Sequence, residues 1–349
     1  MVQSEAMNTT PHIAVVCPGF PADPMDTACV PYLYLYLEAL QACRKCRISV
    51  VALQYPFRTT PFQWKGMDVF PMGGKNAPGL RRLPSWGNAW RTLRQIHRQT
   101  PVNIMHSFWM GEAAVVGSLV ARRFRVPHIV TVMGQDARPE NRWWRWEPCL
   151  NAQLVAVSHR QRSGGPMALQ AGMCIPFGMD ASSVEATSRE HRTVDILGVG
   201  SLNAVKNFET FVDVVAALKG SYRVVVLGEG PRREDLMKQA LSLGLTIEWK
   251  GAVGREDVLQ WMSKSRVLLH TASFEGQGYA FVEALASGMQ IVSTSVGAAE
   301  SGPNWSMAEG VAALSDCLQQ RLESAHSHDS EIPRTMHDTV DDYWKLYGV

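Results

Sequence analysis

Glu275 and Glu283 frame seven residues, and they are the pair whose type and spacing best suit chemistry on a polar substrate. Both lie in the stretch SFEGQGYAFVEALASG, residues 273–288, with Gly276 and Gly278 close behind the first acid. Ahead of it, RVLLH at 266–270 is a short apolar run that predicts a buried strand. Residues 279–287 predict a helix, with Phe281, Val282, Leu285 and Ala286 on one apolar stripe. Strand, glycine-containing turn and helix, in that order, present backbone N–H groups and a helix N-terminus to an anion, most naturally a phosphate. Glu275 falls in the turn and Glu283 about two turns into the helix, where acids suit the hydroxyls of a ribose or hexose better than phosphates. Two acids on an ordinary solvated strand–turn–helix unit are the alternative reading of the spacing alone.

The whole string S-F-E-G-Q-G-Y…E-A-L-A-S-G resembles the signature of retaining glycosyltransferases of the GT-B fold, family 4 in particular. The resemblance implies an α/β chain of two Rossmann-like, doubly wound domains facing a central cleft. It implies transfer of a sugar from a nucleoside diphosphate sugar to an acceptor hydroxyl, with retention, in cell-surface glycan, polysaccharide or glycolipid synthesis. Glu275 would orient the transferred sugar and Glu283 would bind the ribose hydroxyls. Gly276, Gln277, Gly278 and Tyr279 would line the donor site.

Other stretches extend the resemblance. SLNAVKNF, at 201–208, is similar to the family's G-R-L-x-x-x-K loop: Lys206 matches the lysine on the donor diphosphate, while Ser201 stands where the arginine belongs. An exposed lysine at a helix start contributes little to stability, and there it opposes the helix dipole, so it makes most sense beside a bound anion. G-E-G-P at 228–231 is similar to G-x-G-P, and Gly251 and Val253 resemble the turn beside the nucleobase. On the acceptor side, N-I-M-H-S-F-W matches a strand ending in His106, with Phe108 in place of a second histidine. T-V-M-G-Q-D-A keeps Gly134 and Asp136 but has Met133 for a histidine. A lone strand-end histidine is also a common structural residue, and Asp136 also suits a cap or turn. Thr27, Ala28 and Cys29 occupy the place of the family's Gly-Gly pair in the loop after the first strand.

The elements that must position these residues alternate in type. Apolar runs predict strands at 12–17, 48–53, 68–71, 102–106, 128–132, 153–157 and 173–176, with helices at 32–42, 86–99 and 111–124. Strands at 194–200, 222–227, 247–250 and 290–293 and a helix at 255–264 continue the pattern, which is that of parallel βαβ units. I-P-F-G-M-D at 175–180 resembles the family's domain-ending I-P-N-G-V-D. The expected division is an acceptor-binding domain at 1–180, opening on a loose polar leader at 1–10. A Ser/Thr-rich linker at 181–193 and a nucleotide-sugar domain at 194–333 follow. An amphipathic helix within 334–349, carrying Val340, Tyr343, Trp344 and Tyr347, is expected to return to the first domain.

Composition sets outer limits. The 349 residues suggest two domains, and 46 % hydrophobic with 19 % charged residues describes a globular chain with a sizeable core. A net charge of +2 gives no sign of nucleic acid as a partner. Seven scattered cysteines argue for a reducing cytoplasm rather than a disulfide framework, and the lone Cys43-x-x-Cys46 has no second pair at metal spacing. No apolar run reaches ~18 residues, so no spanning helix is expected. Two segments combine arginine with tryptophan: 75–98, with Trp86 and Trp90, and 141–146, N-R-W-W-R-W. That composition fits either an interfacial helix on an anionic membrane surface or a core stripe backed by a solvated basic face. Asp-x-Asp, which holds a divalent metal in many transferases of the other common fold, occurs nowhere, so no metal and no resident cofactor are expected. The expected partners are the nucleotide-sugar donor and a glycan or lipid-linked acceptor. Two rival readings stay open: a catalytically silent partner subunit, and a nucleotide-sugar epimerase on the same fold.

Overall fold

The computed structural model describes residues 10–27, 29–180, 192–324 and 330–349, so the polar leader up to residue 9, Ala28 and residues 181–191 of the expected linker lie outside the described residues. The chain divides into two units. The first comprises Met1–Val155, Gly165–Ile175 and Thr339–Val349, and the second Ala156–Gly164 and Pro176–Asp338.

The first unit is built on an eight-stranded sheet. Its strands are β1 (His12–Gly19), β2 (Arg47–Tyr55), β3 (Phe62–Trp64), β4 (Met67–Pro71), β5 (Ile104–Phe108), β6 (His128–Val132), β7 (Gln153–Ala156) and β8 (Met173–Cys174). Their order is β3-β4-β2-β1-β5-β6-β7-β8. β1 lies parallel to β2 and β5, β2 to β4, and β5 to β6, while β3 turns back antiparallel on β4. β5 is buried at every residue and β1 at its first six, as befits strands whose two sheet faces are covered by helices. The helix Leu83–Gln99 supplies one cover, burying Ala89, Leu93 and Ile96 against Val51, Leu53 and Met105, with Trp86 and Trp90 at the edge of that core. Arg91, Arg94 and Arg98 stay on its exposed side. The tryptophan stripe of 75–98 is therefore a core face backed by a solvated basic face.

Phe108, not His106, is the last residue of β5. The strand runs two residues further than the sequence reading placed it, and that moves His106 into the middle of the sheet.

The second unit is a six-stranded, fully parallel sheet of β9 (Val194–Val199), β10 (Val224–Leu227), β11 (Ile247–Gly251), β12 (Ser265–His270), β13 (Gln290–Ser293) and β14 (Trp305–Met307). Its order, β11-β10-β9-β12-β13-β14, is the doubly wound Rossmann order. Alternate strand residues feed two cores. Leu197, Val225, Leu268 and Ile291 pack with Phe281 and Leu285 of the helix Tyr279–Ala286. Ile196, Val226, Val267 and Val292 pack on the other face with Phe211 and Val215 of the helix Phe208–Ala216 and with Leu314 and Leu318. The latter two belong to the helix Val311–Glu323, which, like β14, the sequence pattern did not disclose. Arg192, grouped with the linker in the sequence reading, is buried in this unit. Its guanidinium donates to the carbonyls of Met262, Ser287 and Gly288 at 3.2, 2.7 and 3.1 Å, a cation at the C-terminal ends of two helices.

Candidate active site

β9 and β12 are neighbours at the point where the winding of the second sheet reverses. Loops leaving the carboxyl ends of such a strand pair are where open α/β sheets hold ligands. Local bonding shapes both loops. The Asn203 side-chain oxygen accepts the N–H groups of Val205 and Lys206 at 3.0 and 3.1 Å, closing a tight turn before the helix Phe208–Ala216. Ser273 N–H donates to the Val205 carbonyl at 2.8 Å, and the Thr271 hydroxyl to the Asn207 carbonyl at 2.9 Å. These bonds stitch the loop after β12 to the loop after β9. The loop after β10 closes over them only because residue 228 is glycine: a Cβ there would stand 1.8 Å from the Gly200 carbonyl oxygen.

The stitched loops bring Lys206 and Glu275 together. The Lys206 ammonium donates to Glu275 Oε1, and the same oxygen accepts from His270 Nε2 at 3.0 Å. Burial pushes the Glu275 carboxyl up, but His270 and Lys206 overrule it and hold it at about 2, so it is a carboxylate at any working pH. Burial lowers the His270 pKa, keeping the ring neutral at pH 7; Nε2 then carries the proton, and buried Nδ1 is left without a partner among the described residues. Lys206 is less exposed than the sequence reading expected of a lysine at a helix start. Its side chain is 26 % exposed and paired with a carboxylate side chain that is 13 % exposed.

The turn that follows meets the helix Tyr279–Ala286. The N–H groups of Gly276, Gln277 and Gly278 donate to no protein acceptor among the described residues. Gly278 turns the chain at φ +78°, where a Cβ would also meet the Phe281 ring at 2.5 Å. The side chains of Gln277 and Tyr279, expected at the donor, are spent on the segment before the linker. Gln277 exchanges two hydrogen bonds with the Phe177 backbone at 2.6 and 2.8 Å, and the Tyr279 hydroxyl donates to the Gly178 carbonyl at 3.0 Å. Glu283 sits about one turn into the helix rather than two, since it follows the expected start at Tyr279 by four residues. Its Oε1 accepts from Arg255 Nε at 3.0 Å, and burial nevertheless pushes its carboxyl up to about 7. Ser201 is exposed at the start of the loop after β9; Gly251 ends β11 at φ +76°, and Val253 packs against the core cluster that includes Phe281.

The acceptor-side residues lie in the first unit. His106 is wholly buried: its ring nitrogens bond the Tyr347 hydroxyl at 2.7 Å and the Thr131 hydroxyl at 2.8 Å, and the ring stacks on Phe108 at 4.0 Å. Burial drives its pKa well below the usual value. Tyr36 bonds Tyr347 at 2.7 Å and Tyr343 bonds Thr131 at 2.8 Å, so His106 is the hub of an interior network that fastens the helix Met336–Tyr347. A strand-end histidine facing an acceptor was the expectation; the longer strand gives it a structural post instead. The Asp136 carboxylate accepts the N–H groups of Met110, Gly134 and Met133 at 2.7, 2.6 and 3.2 Å. Burial pushes its pKa up against those bonds. It clamps the loops after β5 and β6, with Gly134 as one of its donors. Asp136 lines a cavity in which Trp109 and Trp143 also stand.

Sequence reasoning passed over His270, Arg255 and Asn203. His270 could have been found by the logic applied to His106, since it ends a strand five residues before Glu275. Arg255, remote from Glu283 in sequence, gave no such signal.

Residues 193–324 match the family described as glycosyl transferases group 1. Among curated relatives, the chain is 30 % identical over 115 residues to the lipopolysaccharide core biosynthesis glycosyltransferase LpsE of Rhizobium meliloti. That stretch is 33 % of this chain and 32 % of LpsE, so the match spans about a third of the relative's length. Among solved structures, the sucrose-phosphate synthase of Thermosynechococcus elongatus superposes with a TM-score of 0.72 at 15 % identity, over 97 % of this chain and 95 % of that one. HepE of Anabaena, solved with UDP and glucose, gives 0.68 at 17 % identity over the same shares. The chain has the GT-B fold, and its residues 193–324 are similar to the glycosyl transferases of group 1.

Proposed function

We propose that this protein is a retaining glycosyltransferase of family 4 type, moving a sugar from a nucleoside diphosphate sugar to an acceptor hydroxyl in cell-surface glycan synthesis. The observation that carries the reading is the meeting, at one helix start in the second unit, of Lys206, Glu275 and three backbone N–H groups that have no acceptor among the described residues. The names of the relatives lend support: one acts in lipopolysaccharide core synthesis, and one was solved with UDP and glucose. In this reading the N–H groups of Gly276–Gly278 and the Lys206 ammonium take the diphosphate and stabilise the charge that grows on it as it leaves. The acceptor oxygen bonds to the anomeric carbon on the face the diphosphate leaves, the carbon–diphosphate bond breaks, and the acceptor proton passes to the departing phosphate oxygen. Glu275, kept ionised and aimed by His270, orients the sugar hydroxyls. Glu283 takes the ribose, with Gly251 and Val253 beside the base. Lys206 and the N–H groups supply positive charge without a metal. His106 serves the fold, and Gly134 and Asp136 hold the acceptor-side loops in place.

The test is thermal stabilisation by a panel of uridine, guanosine and adenosine diphosphate sugars in excess EDTA, followed by transfer to sugar acceptors. A donor at 100 times its Kd adds ~2.7 kcal/mol of stability. Stabilisation without turnover would identify a silent partner subunit, and conversion of the donor with no acceptor present an epimerase. Activity lost to EDTA and restored by Mn²⁺ or Mg²⁺ would overturn the metal-free reading.

The same reading places the protein in the cytoplasm, where nucleotide sugars are made, at the inner face of the membrane. Leu80 and Leu83 are 80 % and 49 % exposed beside the exposed Arg81, an apolar and basic corner of the first unit suited to anionic lipid. Flotation with anionic but not neutral vesicles, reversed by salt, is the expected result; equal flotation with both rejects it.

A further inference from the structure

Ser158 heads the short helix His159–Gly164 in the second unit, and the donor chemistry described so far gives it no role. It is 2 % exposed. Its hydroxyl donates to the Gly276 carbonyl at 2.6 Å, joining residues 118 apart in sequence. Its oxygen also accepts the Gln161 N–H at 3.1 Å, the ordinary bond of a helix cap. A carbonyl can only accept, so the serine proton lies on the Gly276 side. Aspartate would cap this helix as well, but it would set a carboxylate against that carbonyl. The pair of bonds therefore asks for more than a cap.

The Gly276 carbonyl shares its peptide group with the Gln277 N–H, one of the three N–H groups with no acceptor among the described residues. In a trans peptide the C=O and N–H point in opposite directions, so Ser158 holds this group from behind and leaves its N–H free. The next peptide is held in the same manner. Ala298 N–H donates to the Gln277 carbonyl at 2.8 Å, at the back of the group that carries the Gly278 N–H. Glycine at 297 permits that approach: its φ is +57°, and a Cβ there would stand 2.4 Å from the Gln277 carbonyl oxygen. The segment that carries Ser158 reaches this loop too, Arg160 donating to the Ala299 carbonyl at 3.3 Å. With the Gln277 side chain tied to the Phe177 backbone, the turn is held on several sides, and none of these bonds uses the three N–H groups.

Hydrogen bonds in line polarise one another, by roughly 10–30 % per bond. A donor on the carbonyl draws electron density toward the oxygen and leaves the N–H of the same peptide more positive. We propose that Ser158 is a positioning residue for the donor diphosphate: through the Gly276–Gln277 peptide it aims the Gln277 N–H at the anion and strengthens it. The line runs from the Gln161 N–H through the Ser158 hydroxyl, the Gly276 carbonyl and the Gln277 N–H to a phosphate oxygen. No proton moves along it; each stays on its own donor. The inference rests on the reading that this turn takes the diphosphate.

Inorganic pyrophosphate is the probe, titrated into the full chain while the amide signals of Gly276, Gln277 and Gly278 are followed by NMR. Ser158→Ala, Ser158→Thr and Ser158→Cys are measured beside the native protein. In Ser158→Ala the Gln277 amide nitrogen should move upfield before any ligand is added. Pyrophosphate should then bind about threefold or more weakly, the scale of losing one link in a line of charge-assisted bonds. Ser158→Thr keeps the hydroxyl and should bind as the native chain does, and the weak thiol donor of Ser158→Cys should fall between. In sugar transfer by Ser158→Ala, kcat should fall by a larger factor than KM rises, because a polarised N–H counts most as charge grows on the leaving group. Loss of a helix cap alone would lower the melting temperature and leave these readouts unmoved.

Pyrophosphate affinity unchanged in Ser158→Ala, or as weak in Ser158→Thr as in Ser158→Ala, would overturn the role of Ser158 and leave the diphosphate reading standing. Pyrophosphate that shifts none of the three amides in the native chain would overturn that reading, and Ser158 with it. If Ser158→Ala does not fold, Ser158→Cys against Ser158→Thr decides the matter in the same titration: equal affinities reject the proposal.

Discussion

Lys206→Met tests the centre of the second unit most directly. The substitution keeps the aliphatic stem and deletes the ammonium, leaving Glu275 with His270 as its remaining side-chain donor. Breaking a fully buried pair costs about 3–5 kcal/mol and an exposed one about 0–1. With the two side chains 26 % and 13 % exposed, this pair falls between, at about 2 kcal/mol. Urea unfolding at pH 7 should therefore show Lys206→Met less stable by about that amount, and the double variant with Glu275→Gln less destabilised than the sum of the singles, with a coupling of about 1–2 kcal/mol. Sugar transfer by Lys206→Met should fall ~100-fold or more in kcat/KM, the scale of losing one electrostatic donor to a leaving group. Acid adds a further check. Glu275 is held at about 2, below its ordinary 4.5, so its contribution to stability is present above 4.5 and is lost as pH falls toward 2. Lys206→Met should lose less on acidification than the native protein does. Additive single variants, or transfer at the native rate, would refute the reasoning.

Glu283 titrates in the opposite sense: its pKa is raised to about 7, so its contribution is full below 4.5 and declines as pH rises through 7. Glu283→Gln should flatten the fall in melting temperature between those values and weaken nucleotide binding, both read by scanning fluorimetry. Gly278→Ala places a Cβ against Phe281 in a left-handed turn and should cost about 2 kcal/mol or more in urea unfolding. His106→Ala should cost a similar ~2–4 kcal/mol through its buried network, while transfer per folded molecule, measured at low temperature, stays within a few-fold of native.

Much of this arrangement was legible because parallel strands covered on both faces are continuous apolar runs. β6 and β13 fall where those runs lie, and the Glu275 turn stands between the expected strand and helix. What escaped reading depends on contacts remote in sequence. β14 is three residues long and draws its place from pairing with β13 and from Trp305 Nε1 donating to Ser293 at 2.8 Å, neither of which leaves a periodicity. The role of His106 turned on a strand end, the least certain feature of any apolar run; two more residues of strand turned an expected site residue into an interior one. Lys206 was singled out for the donor diphosphate, and its carboxylate partner could not be seen, since Glu275 lies 69 residues away and only the stitched loops bring them together.

The helix Met336–Tyr347 has a consequence in time. Tyr343 and Tyr347, which supply hydroxyls to the network around Thr131, His106 and Tyr36, are translated after every strand of both sheets. A nascent first unit therefore carries its His106 pocket uncovered throughout synthesis of the second, and it reaches its final stability only when those tyrosines arrive. Domains made early on the ribosome commonly fold as they emerge; this one completes its interior network last. A ribosome that stalls after the second unit would release a chain whose second sheet is finished and whose first still exposes an apolar, partly polar seam to chaperones and proteases.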